Sequence, residues 1–186
     1  MKKGILIFGV AGSGKTTLGK ELASRLGWQH IDLDDYFWKK DTTLPFTEFY
    51  ERDVMVENLR KAIAKQPNFV MSGNYKSMLK EHFTELLVLA VFLTVPQDER
   101  MARIQNRAIK RFGDRVLEGG DMYKNHMEFY EWTKAYDSGE NPNYCLEKDK
   151  NWAEEISVIC PVLELDGTKP INENIETIVQ YRRNDI

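Results

Sequence analysis

Short apolar runs alternate with longer segments whose apolar residues recur every three or four positions, and the alternation holds along most of the chain. The runs at residues 5–10, 30–33, 69–72, 87–95 and 162–165 predict five strands. Helices are predicted over 16–26, about 47–65, 76–83, 98–112, 122–136 and 171–182, the last opening just after Pro170. Leu18, Leu22, Ala23 and Leu26 give the first helix its apolar stripe, and Phe49, Val56, Leu59 and Ile63 give the second its own. Strands and helices in turn predict βαβ units, hence an α/β fold: a three-layer sandwich with a five-stranded parallel sheet flanked by helices. More than sixty residues separate the fourth strand from the fifth, far beyond an ordinary connection. Gly113, Gly119, Gly120 and Gly139 punctuate that stretch, and a helical insertion acting as a mobile lid over about 98–140 is expected.

Composition narrows the class. At 186 residues, 42% hydrophobic and 30% charged, the chain suits one soluble domain over 1–186. A net charge of −3 argues against a broad nucleic-acid or membrane-binding surface. Cys145 and Cys160 show neither metal-ligand spacing nor a disulfide framework, which suits a reducing compartment. The most apolar stretch, residues 86–95, is too short to span a bilayer. Met1, Lys2 and Lys3 ahead of an apolar run have the look of a secretory signal, but Lys15 and Lys20 interrupt it. That run reads as a first strand, and a cytoplasmic protein is expected.

The chemistry begins at the end of that strand. Gly9-Val-Ala-Gly-Ser-Gly-Lys-Thr16 is a complete G-x-x-x-x-G-K-[ST] string, placed after an apolar strand and before an amphipathic helix, as a phosphate-binding loop requires. Glycines let consecutive N–H groups turn inward around phosphate oxygens, and the following helix N-terminus favours anions. Gly9, Ala11, Gly12, Ser13, Gly14, Lys15, Thr16 and Thr17 are the predicted nucleotide contacts. Lys15 supplies positive charge near the β and γ phosphates, and the Thr16 hydroxyl is a ligand for Mg²⁺.

Other motifs separate the loop's users. A GTPase needs a guanine-reading Asn-Lys-x-Asp, and the nearest string, Gly167-Thr-Lys-Pro170, lacks both Asn and Asp. A motor of the AAA type wants an apolar strand ending in Asp-Glu, and neither 69–72 nor 87–95 ends that way. Acids close only the second strand, in His30-Ile-Asp-Leu-Asp-Asp35. Asp32 and Asp34, two apart on a strand, would point to one face at the sheet edge where α/β ligands bind, with Leu33 packed behind.

This pattern resembles the shikimate kinase and adenylate kinase-like group of P-loop kinases, in which an Asp-x-Asp follows the second strand. Leu33-Asp-Asp-Tyr-Phe-Trp-Lys39 with Met71-Ser-Gly-Asn-Tyr75 is also similar to bacterial kinase-like proteins known as topology modulation proteins. The resemblance implies that Asp32 holds Mg²⁺ through water and Asp34 orients the attacking hydroxyl, Asp35 being the alternative if the register is one off. It implies an acceptor-binding region over about 34–68, with Arg52 on an acceptor carboxylate or phosphate. Arg52 falls within the apolar stripe of its helix, where an arginine needs an anionic partner or must snorkel. Gly73 and Asn74 close the third strand where such kinases bring backbone against the acceptor, and 166–170 lies where they hold adenine.

Arg103, Arg107, Arg111 and Arg115 recur every fourth residue beside a stripe of Met101, Ile104, Ala108 and Phe112. From Arg100 to Phe112 there are basic residues and no acid, so this face is expected to meet an external anion such as nucleotide phosphate. By the resemblance, one arginine stacks on adenine and another stabilises the moving phosphoryl group; Arg107 and Arg111 are the candidates. Tyr36, Phe37 and Trp38 wall an acceptor pocket or join the core, and the same choice is open for Tyr123, Phe129, Tyr130, Trp132 and Tyr136. His126 has no nucleophile or metal partner in the pattern and is assigned no role.

The expected function is transfer of a phosphoryl group from ATP, with Mg²⁺, to a hydroxyl or phosphate of a small metabolite. Lys15, Asp34, Arg107 and Arg111 are the expected catalytic residues, and Asp34, Arg52, Gly73 and Asn74 the acceptor contacts. A nucleoside or nucleoside monophosphate kinase is the alternative within the same chemistry, and an ATP-binding sensor module is the alternative from another class. Oligomeric state is not readable from the pattern.

Overall fold

In the computed structural model, which describes residues 3–185, β1 (Lys3–Phe8) is the centre of a five-stranded parallel sheet. Both faces of β1 are apolar: Ile5 and Ile7 enter one core layer, Leu6 and Phe8 the other, and all four are fully buried. β3 (Asn68–Ser72) pairs on one side of it and β4 (Leu87–Thr94) on the other; β2 (Gln29–Asp32) and β5 (Val162–Asp166) are the edges, giving the order β2-β3-β1-β4-β5.

Helices cover both faces. α1 (Lys15–Leu26) and α8 (Ile171–Asp185) lie on the layer containing Ile5 and Ile7 through Leu18, Leu22, Ile175 and Ile178. α3 (Arg52–Ala64), α4 (Lys76–His82) and α7 (Leu146–Ser157) cover the other through Leu59, Ile63, Met78, Leu79, Trp152 and Ile156. The long connection from β4 to β5 carries α5 (Gln97–Phe112), a 3₁₀ turn at Gly113–Val116, α6 (Tyr123–Lys134) and α7. The expected P-loop three-layer sandwich with a helical insertion is therefore the fold.

Gly73, directly after β3, sets how closely two strands' exits pack. Its φ is +151°, and an added Cβ would stand 2.6 Å from Cβ of the fully buried Leu33. Gly73→Ala is expected to lower unfolding free energy by about 1–3 kcal/mol through overpacking and backbone strain. An unchanged urea midpoint would contradict that packing argument.

Three expectations are corrected here. The helix predicted from 47 begins at Arg52, because the residues before it pair across the chain: Trp38 and Phe49 form an antiparallel bridge, and Lys39 N–H donates to Glu48 O at 2.9 Å. Phe49 consequently stacks on Trp38 with ring centroids 3.9 Å apart and stays half exposed, outside the buried stripe. Arg52 opens α3 in contact with solvent and pairs with Glu81 at 2.7 Å, so it is not a buried arginine awaiting an anion. The third concerns α7, which the apolar pattern did not predict. Its inward positions include Asp149, and that one charge breaks the periodicity.

Candidate functional site

The loop between β1 and α1 lies at the C-terminal edge of the sheet, where α/β folds bind ligands. Gly12 shows why it needs glycine: its φ is +82°, and a Cβ would stand 2.7 Å from the carbonyl oxygen of Arg100. α5 thus packs its first turns directly onto the loop. Gly14 takes the left-handed conformation that turns the chain into α1.

Lys15 Nζ donates to Val10 O at 2.8 Å. Burial pushes its pKa down to about 8, against the pull of Asp34, Asp149 and Asp32 and with a smaller push from Arg107. The loop's cation and the second strand's acids therefore share one electrostatic neighbourhood. Asp32 ends β2, where its carboxylate takes a hydrogen bond from the Asp34 N–H at 3.2 Å and lies near the Thr16 hydroxyl. Burial and the like charge of Asp34 raise its pKa.

Asp34 reaches the same side as Asp32 by a different route from the one expected. It is the first residue of the short α2 (Asp34–Phe37), not a strand residue, and the turn of that helix brings it round while Leu33 packs inward. Tyr75 O–H donates to Asp34 at 2.8 Å, and the Tyr75 ring stacks on Phe37. Asp35 turns outward to Lys40 at 3.0 Å. Of the two, Asp34 is the one whose charge acts on Lys15.

The arginines divide by partner, which corrects the expectation of a face without internal partners. Arg100 is fully buried, paired with Asp137 and bonded to Thr133 O at 3.1 Å. Arg103 meets Glu99 at 3.0 Å and Gly167 O at 3.1 Å, and Arg115 lies beyond α5, paired with Asp121. Arg107 acts electrostatically on Lys15, Asp34 and Asp32. Arg111 sits over the rings of Phe46 and Phe112, with its guanidinium about 5 Å from each centroid.

Beside the loop opens a cleft of about 360 Å³ bordered by Gly12, Ser13, Gly14, Thr17, Arg103, Arg107, Gly167 and Asn174. Gly9, Ala11, Lys15 and Thr16 adjoin it along the chain. Beyond β3, Asn74 Nδ2 donates to Asp149 at 3.1 Å. Arg52 is held apart by its pair with Glu81.

Asp149 is the residue the sequence reading missed. Fully buried, it accepts from Tyr136 O–H at 2.6 Å, from Asn74 and from Lys76, joining the insertion to the exit of β3. A signal was present: a charge inside the stripe Leu146, Asp149, Trp152, Ile156, the same argument applied at Arg52, which instead opens its helix at the surface. His126, given no role, bonds Gln105 at 2.8 Å within the insertion.

A glycine-turned loop between a central parallel strand and a helix, with a lysine, a hydroxyl and two carboxylates gathered beside it, defines a P-loop protein of the nucleotide-binding class. A family model described as an AAA domain matches residues 5–123. The chain is 33% identical over 184 residues to the uncharacterized protein YqaC of Bacillus subtilis (strain 168), covering 97% of this chain and 98% of the relative. It is 31% identical over 144 residues to the shikimate kinase of Dictyoglomus turgidum, covering 70% and 84% respectively. A sugar kinase from Janibacter sp. HTCC2649, solved without ligand, superposes with a TM-score of 0.55 at 17% identity over 100% of this chain and 96% of that one, a likeness of fold. The chain belongs to the AAA domain family, within the shikimate kinase-like group of P-loop kinases. β3, next to the loop's strand, nevertheless runs out into Ser72, Gly73 and Asn74, without the acidic pair expected of a motor. Among the described residues, no helix is long and apolar enough to cross a membrane.

Proposed function

We propose that the chain is an ATP- and Mg²⁺-dependent kinase that phosphorylates a hydroxyl or phosphate of a small metabolite. The observation that carries this reading is Asp34: its carboxylate is fixed by Tyr75 O–H at 2.8 Å and its charge acts on the loop lysine. A carboxylate so held can align an acceptor hydroxyl and take its proton, while positive charge opposite steadies the transferring group. ATP would run along the cleft, its phosphates against Gly9 to Thr17 and its base toward Gly167 and Asn174. Arg107, which shares the field of Lys15 and Asp34, is suited to the transferring phosphoryl group. Arg111 bears on Phe46 instead and is suited to bringing the segment at about 98–140 against that at about 34–68.

Thr16 and Asp32 offer Mg²⁺ the hard oxygen ligands it prefers. Among the described residues no three His, Cys, Asp or Glu groups converge into a metal site. Mg²⁺ would take the rest of its shell from phosphate oxygens and water. Asn74, aligned by Asp149, and the backbone at Gly73 border the acceptor's side.

ADP release with ATP and Mg²⁺, measured across separate pools of sugars and polyols, hydroxy acids, nucleosides and nucleoside monophosphates, tests the reading. One pool is expected to stimulate release well above the rate with buffer alone. Tight nucleotide binding with the same slow release in every pool would favour a nucleotide sensor.

A further inference from the structure

Ala11, in the middle of the phosphate loop, donates its N–H to the hydroxyl of Tyr144 at 2.8 Å. Tyr144 comes from the far end of the insertion, 133 residues along the chain. A phenol has one proton to give and lone pairs to receive. Here the oxygen receives from Ala11, and the hydroxyl's own proton has no acceptor among the described contacts.

The ring is fixed from behind. Trp132 stacks on it with centroids 3.7 Å apart and planes within 10°, and Tyr136 packs at 5.2 Å. Leu146 N–H bonds Tyr136 O at 3.1 Å and ties down the chain just after it. None of this packing needs a hydroxyl; a phenylalanine would stack equally well. The charges of Asp149 and Asp34 both act on the phenol, opposed by Arg100, so the hydroxyl bonded to the donor loop lies within the field of the acceptor-side carboxylates. Burial, with those charges, raises its pKa, so it stays a protonated donor throughout the working range of pH.

We propose that Tyr144 is a phosphate-binding residue: held by Ala11 N–H, its hydroxyl donates a hydrogen bond to the terminal phosphoryl group of the nucleotide. The proposal rests on the kinase reading above. It gives the insertion a direct hold on the group being transferred, so that the loop carrying Tyr144 is part of the donor site.

Calorimetric titration of the full chain with ATPγS and, separately, ADP, both with Mg²⁺, tests it in Tyr144→Phe. Affinity for ATPγS is expected to fall about tenfold, the worth of one hydrogen bond to a charged group, with ADP affinity unchanged. Tyr123→Phe, which removes an exposed hydroxyl elsewhere in the insertion, should bind both nucleotides as wild type does. Equal losses for the two nucleotides in Tyr144→Phe would mark a packing role and overturn the proposal, as would no loss for either. A wild-type chain that binds neither nucleotide would overturn the kinase reading itself, and this inference with it.

Discussion

Lys15→Ala is expected to abolish measurable turnover, lowering kcat by at least about 10²–10³-fold, as loss of a preorganised cationic donor does elsewhere. Lys15 combines a position in the loop with the fields of Asp32, Asp34 and Arg107. The fold should survive, because burial already disfavours the charged ammonium and the variant removes that penalty. A melting temperature at pH 7 equal to or above wild type is the control. The same burial predicts a pH dependence. In the free protein Lys15 loses its proton above about 8, so kcat/KM for ATP should fall roughly tenfold per pH unit on the alkaline side. Lys15→Arg, which keeps its charge, should lack that limb. Stability moves the opposite way: between about 8 and the ordinary 10.5 the unfolded chain holds a proton the folded chain has released, so stability rises with pH across that window. Unchanged turnover in Lys15→Ala would remove the loop from the mechanism.

Asp34→Asn should lower kcat by about 10²–10⁴-fold while leaving ATP binding within a few fold, the pattern of a lost general base. The amide keeps the shape and can still accept from Tyr75, so the charge is what the variant tests. Asp35→Asn supplies the contrast. Asp35 is exposed and paired with Lys40, and its variant should keep near wild-type kcat. If Asp35→Asn were the damaging change, the facing carboxylate would be misassigned by one residue.

Features set by neighbours in sequence were legible before the structure. The three inner strands follow from runs apolar on both faces, the two edge strands from shorter apolar runs broken by His30 and Glu164, and the phosphate loop from glycines at fixed spacing between a strand and a helix. What the sequence hid depends on partners far along the chain. Residues 47–50 look helical until Trp38 is there to pair with Phe49. The arginines of α5 look unpartnered until the fold brings Asp137 to Arg100 and the Gly167 carbonyl to Arg103. Asp34 lies beside Asp32 although its element was misread, because α2 turns it back toward the end of β2. Asp149 interrupts the apolar stripe of its own helix and Tyr144 lies in the loop before it, and only packing brings them to Asn74 and Ala11.

The central claim is that a loop built for phosphate and a carboxylate built for an acceptor serve one transfer. Incubating the chain with γ-labelled ATP, Mg²⁺ and a small-molecule extract, and following the label, tests it most directly. The account predicts label in an organic phosphate, lost in Lys15→Ala and in Asp34→Asn. Label appearing only as inorganic phosphate, at a rate that Asp34→Asn leaves unchanged, would contradict it.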